Sequence, residues 1–119
     1  MEVHFNRAVT AVATKAGAAA VYPVTLPTAA AVPAVTYRIV GASSKMTFST
    51  RGTERARIEV TVWAKNYLDA VTIRAALIDG LVGFTDGCIT VTYLTKMDFF
   101  DYELLKYRAQ AEFYVSFAL

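Results

Sequence analysis

Between Ala56 and Ala64 every second residue is apolar: Ala56, Ile58, Val60, Val62 and Ala64. Interleaved with them are Arg55, Arg57, Glu59, Thr61 and Trp63. Side chains of a strand alternate between two faces, so this segment predicts a strand with one dry face and one face of charges and a tryptophan. The dry face needs a layer packed on it. The other face needs either water or a partner.

The rest of the chain supplies the second layer. Val9, Val12, Ala13, Ala16 and Ala20 recur at helical spacing and predict a helix over residues 3–19, weakened at its end by Gly17. Asn66 is a good N-cap for a second helix from Tyr67 to about Val82, with Gly83 as its C-cap. Its expected buried stripe is Leu68, Val71, Ala75, Ile78 and Val82, with Asp69, Thr72, Arg74 and Asp79 in water. Three further strands are expected over Ala34–Val40, Cys88–Met97 and Arg108–Leu119. Val21–Pro33 contains all three prolines, Pro23, Pro27 and Pro33, and reads as an extended connector. Gly41–Thr53 reads as a long Ser/Thr/Gly loop of the kind that is usually functional or disordered. DFFDYELLKY, from Asp98 to Tyr107, reads as a long turn or flaring hairpin end. The expected fold class is α+β: an antiparallel four-stranded sheet with two helices on one face, in the order α-β-β-α-β-β. With 119 residues it is one domain, residues 1–119.

Composition removes several classes of function. A hydrophobic fraction of 55% and a mean hydropathy of +0.38 are high for a small soluble monomer and point to surface covered by neighbours. A net charge of +2 does not by itself make a nucleic-acid binder. The one cysteine, Cys88, excludes an internal disulfide, and with the one histidine, His4, it cannot build a structural zinc site. Cys88 reads as a small apolar group, and His4 as solvated. The uncharged run from Ala16 to Tyr37 is interrupted by three prolines, which argues against a membrane helix. Lys15 breaks the apolar run near the start, which argues against a signal peptide. A cytosolic, non-membrane chain is expected.

No phosphate loop, nucleophile elbow or His–carboxylate pair is present, so neither catalysis nor a cofactor is expected. Asp98, Asp101 and Glu103 form the nearest acidic cluster and read as a solvated turn. Phe99, Phe100, Tyr102 and Tyr107 share that turn, either as packing at the sheet edge or as an apolar tip for a neighbour. Lys45, Arg51, Arg55 and Arg57 are the densest basic group. A solvated face, a subunit contact or, with Trp63 and Tyr114 as stacking aromatics, a nucleic-acid surface would each use it.

The order of several segments resembles a known family. These are Val21-Tyr22-Pro23, Pro33 to Tyr37, Arg55 to Ala64, Tyr67 to Ala70 and Tyr107 to Val115. The chain is similar to the tail completion, or tail terminator, proteins of long-tailed bacteriophages, also called head-to-tail joining proteins. The likeness runs from Val21 to the end, and the leading helix fits it. The loop after the first strand departs from it: the family often carries Gly or Asp where this chain has Ser43-Ser44-Lys45-Met46.

The resemblance implies a non-enzymatic virion protein at the neck between tail and head, assembled in the host cytoplasm. It implies a homo-oligomer, a hexameric ring that caps the tail tube and meets the tube protein on one side and the head connector or stopper on the other. DNA would pass through the lumen without specific binding. In that setting the interface candidates are Lys45, Arg51, Arg55, Arg57, Glu59, Trp63, Phe99, Phe100 and Tyr102, and the loop over 41–53 would line the lumen or reach the tube. The alternatives are a head-completion or stopper protein, a tail tube subunit and, more distantly, a module that binds single-stranded nucleic acid.

Overall fold

The structure is a computed structural model that describes residues 2–23, 32–45, 53–82, 89–101 and 106–118. The elements run α1 (Glu2–Lys15), β1 (Ala20–Pro23), β2 (Ala34–Lys45), β3 (Thr53–Ala64), α2 (Tyr67–Val82), β4 (Ile89–Asp101) and β5 (Lys106–Ala118). They form a five-stranded sheet in the order β1-β2-β3-β5-β4. β1 pairs with β2 in parallel and every other pairing is antiparallel. The sheet is therefore mixed and five-stranded. The expected four-stranded antiparallel sheet and the order α-β-β-α-β-β are both wrong.

The missed strand lies in the segment read as a connector. Ala20–Pro23 aligns with Ala34–Tyr37, and the Ala19 amide donates to the Pro33 carbonyl at 2.6 Å just before the pairing begins. Four residues ending in proline are too short for a periodic signal. Proline is tolerated there because β1 is an edge strand, where a missing amide donor leaves no ladder bond broken.

Other boundaries shift as well. α1 ends at Lys15, not at residue 19. Gly17 adopts φ 100°, and the amides of Ala18 and Gly17 donate to the carbonyls of Ala13 and Thr14 at 3.0 and 3.2 Å. This is the Schellman closure, in which a left-handed residue satisfies the last carbonyls of a helix. β2 continues through Lys45 and β3 begins at Thr53, so Gly41–Lys45 is strand and not loop. The remainder of that loop, residues 46–52, lies outside the described residues. Asp98–Asp101 belongs to β4, and Lys106 and Tyr107 belong to β5. The rest of the turn expected there, residues 102–105, lies outside the described residues, as do Gly83 and Cys88.

One core joins the helices to one side of the sheet. Phe5, Ala8, Val9 and Ala13 of α1 pack with Ala70, Ile73, Leu77 and Leu81 of α2. Beneath them lie the dry residues of β3, with Val35 and Tyr37 of β2 and Ala109, Ala111, Phe113 and Val115 of β5. The alternation read in β3 is therefore realised, with Ala56, Ile58, Val60, Val62 and Ala64 all buried. The buried stripe of α2 is not the expected one. Its buried residues are Ala70, Ile73, Arg74, Leu77 and Leu81, whereas Leu68 is 75% exposed and Ala75 and Val82 also face outward. α2 has apolar residues on both sides, so periodicity fits two stripes, and packing selects between them.

Gly80 shows what packing requires. A Cβ at this position would lie 2.5 Å from Cγ1 of Val12, on the β-branched side chain that α1 turns toward α2. Gly80→Ala should therefore lower stability by about 1–2 kcal/mol, because the overpacking cost exceeds the gain in helix propensity. Gly80→Ala combined with Val12→Ala should recover part of that loss in a urea titration.

Candidate polar face of the sheet

β3 brings Arg55, Arg57, Glu59 and Trp63 to the sheet face that lies away from the helices. Pairing places Arg38 of β2 beside Glu59, and Tyr114, Glu112 and Arg108 of β5 beside Arg57, Glu59 and Trp63. Glu59 and Glu112 stand directly opposite each other, an arrangement that repels unless cations flank it. They are flanked. Arg38 pairs with Glu59 at 3.3 Å, and Arg57 donates to Glu112 Oε2 from Nε at 3.0 Å and from a terminal nitrogen at 2.7 Å. The result is a short row of two ion pairs spread over three strands, with the two glutamates adjacent. The hydrogen bond to Glu112, reinforced by its charge, holds the Arg57 guanidinium above its ordinary pKa. Arg38 and Arg57 remain accessible, with side chains 57% and 48% exposed, so this water-screened row contributes more to register than to stability.

The aromatics of this face are engaged within the chain. Trp63 donates from Nε1 to Thr36 Oγ1 at 2.9 Å. The Arg108 guanidinium lies 5.4 Å from the Trp63 ring centroid and 4.8 Å from that of Phe99, held between the two. Arg55 lies 5.0 Å over the Tyr114 ring. Each such contact is worth about 0.5–1 kcal/mol where exposed. Beside Trp63 and Arg108 is a shallow cavity of about 180 Å³, also lined by Thr36, Arg38, Glu59 and Thr61. Arg108 Nε is buried without a hydrogen-bond partner among the described residues. Trp63 and Tyr114, the two rings that a nucleic-acid surface would use for stacking, each already have a guanidinium on them.

The candidates named from sequence separate into three groups. Arg55, Arg57, Glu59 and Trp63 share the outer face, joined by Phe99, which β4 places opposite Arg108. Phe100 points to the helix side, where its ring lies 4.9 Å from that of Tyr107. It remains 36% exposed there. Lys45 ends β2, but its side chain, like Arg51 and Tyr102, lies outside the described residues. Sequence reading missed Arg38, Arg108 and Glu112. Each sits opposite a residue that was named, but only the strand register reveals this.

Arg74 and Asp98 are both expected in water, and the expectation fails for Arg74, while Asp98 is 43% exposed but lies in a strand and not in a turn. The Arg74 side chain is 6% exposed and pairs with Asp98, and it also donates to the Met97 carbonyl at 3.1 Å. The Tyr67 hydroxyl donates to the other Asp98 oxygen at 3.2 Å. A register shift between Tyr93 and Thr95 turns Asp98 to the helix side, where α2 meets it. Asp98 thus forms a polar clamp between α2 and β4, while the side chains of Asp101 and Glu103 lie outside the described residues. Among the described residues no three of His, Cys, Asp and Glu cluster closely enough to hold a metal, and no helix is long and apolar enough to cross a membrane.

No protein-family model matches the chain, and no curated protein does. A solved structure does. The fold is similar to that of a chain in the virion of a native gene transfer agent particle, with a TM-score of 0.64 and 16% identity over 92% of this chain and 86% of that one. At this identity the likeness is one of fold. It spans nearly the whole of both chains, so the shared unit is the complete domain and not one hairpin or helix pair.

Proposed function

We propose that the chain is a structural virion protein, the subunit of a hexameric ring that caps a phage tail tube, ends its polymerisation and joins the tail to the head connector. The observation that carries this reading is the whole-domain similarity to a chain of a gene transfer agent virion. The order of sequence segments that resembles tail completion proteins supports it independently. The physical character of the molecule agrees. Two accessible faces differ in kind, the arginine-bearing sheet face and the outward side of α2, as the head-to-tail contacts of a ring require. No convergent set of acids, bases and nucleophiles is evident among the described residues.

Light scattering on the purified chain over a concentration series tests the reading. A closed species near six subunits, constant in mass as concentration rises, is expected. Open-ended growth into filaments would transfer the chain to the tail tube subunits. A monomer at every concentration would overturn the ring.

A further inference from the structure

The two accessible faces carry opposite charge. α2 contains three charged residues, Asp69, Arg74 and Asp79. Arg74 is buried against Asp98, so the outward side presents acid alone. Asp69 is held by Asn66 Nδ2 at 3.3 Å, while Asp79 has no partner among the described residues. The two carboxylates lie about 15 Å apart along the helix axis. Apolar surface surrounds them: Leu68 is 75% exposed and Val82 47%.

The outer sheet face has the reverse character. It carries four arginines, Arg38, Arg55, Arg57 and Arg108, against two glutamates that Arg38 and Arg57 already pair. Arg55 has a ring beneath it and no carboxylate partner among the described residues. Arg38 lies four residues from Arg55 in β3 register and one strand away, a separation of about 14 Å by strand rise and spacing. This spacing matches that of the two α2 carboxylates. Exposed apolar groups adjoin the arginines here too, with Met97 56% and Tyr114 36% exposed.

We infer that the occupant of the arginine face is a second copy of this chain, docked through the outward side of its α2. Asp69 and Asp79 meet Arg38 and Arg55, and Leu68 and Val82 lose their contact with water. Complementary charge fixes the register of such a contact, and burial of the apolar groups gives it affinity. The contact is heterologous: each copy offers α2 to one neighbour and its sheet to the other, which is what propagates a ring. The inference rests on the ring reading and specifies its interface.

A mixing experiment with two full-length variants tests it. One carries Asp69→Lys and Asp79→Lys, and the other carries Arg38→Glu and Arg55→Glu. Each alone is expected to self-associate at least about tenfold more weakly than the wild type in sedimentation runs, because like charges then face each other. An equimolar mixture is expected to regain wild-type association, since the copies can alternate around a ring with every contact again complementary. Asp79→Lys alone and Arg55→Glu alone, which leave the helix start and the Glu59 pair intact, serve if a double variant melts early in circular dichroism. If the variants assemble as the wild type does, the interface is overturned while the ring stands. If they are weakened and mixing does not rescue them, the pairing of these two faces is overturned. If the wild type itself never associates, the ring reading falls and the interface with it.

Discussion

Asp98→Ala should lower stability by about 3 kcal/mol, and it should do so more than Arg74→Met. The asymmetry follows from burial. The Arg74 side chain is 6% exposed and Asp98 is 43% exposed. Removing Asp98 leaves a buried guanidinium with the Met97 carbonyl as its remaining partner among the described residues, and the Tyr67 hydroxyl also loses its acceptor. Removing Arg74 leaves a carboxylate that water can reach, and Met fills much of the vacated space. At about 4 °C per kcal/mol for a domain of this size, Asp98→Ala should lower Tm by about 12 °C. Asp98→Asn, which keeps an acceptor but not the charge, should fall between the two. Thermal melts followed by circular dichroism measure all three. If Arg74→Met proves the more damaging, the clamp is not the desolvated pair described here.

Phe113→Ala should cost about 3–5 kcal/mol, while Tyr114→Ala should cost well under half of that. The residues are adjacent in β5 and face opposite ways. Phe113 is fully buried, opposite Ile58 on β3 and Tyr93 on β4, with its ring 6.1 Å from that of Tyr93. Its loss opens a cavity at the centre of the sheet's helix side. Tyr114 is 36% exposed and loses one stacked guanidinium, that of Arg55. Urea titrations of the pair read the polarity of the sheet directly. Similar midpoints would mean that β5 does not present these two faces.

Much of this architecture is legible in the alternation of β3 and β5. Each core residue from Ala56 to Ala64 could be read from its spacing, because a period of two leaves no choice of face once one side is dry. Where periodicity is weak or double, reading fails. β1 is four residues long and ends in proline, so it carries no pattern. α2 is apolar on both sides, and the choice of Ile73 and Leu77 over Val71 and Ala75 is made by α1 at Gly80 and by β4 at Asp98, contacts that no local window contains. The register shift in β4 turns Asp98 toward α2 without any glycine or proline to mark it. At the polar face, Arg55, Arg57, Glu59 and Trp63 were visible because they share one strand, whereas Arg38, Arg108 and Glu112 enter through pairing. The apolar part of the outward side of α2 was hidden by the same error that misplaced its stripe: Leu68 and Val82, expected in the core, are exposed and are used by the proposed contact.

The most direct test of the capping role is tail length in particles that lack this protein, measured by electron microscopy on the strain that encodes it with the gene deleted. The account predicts tails that exceed their normal length and stand apart from filled heads, with both defects repaired when the protein is supplied again. Tails of normal length on particles that fail only at head joining would contradict it and point to a stopper. The absence of tails altogether would contradict it and point to the tube.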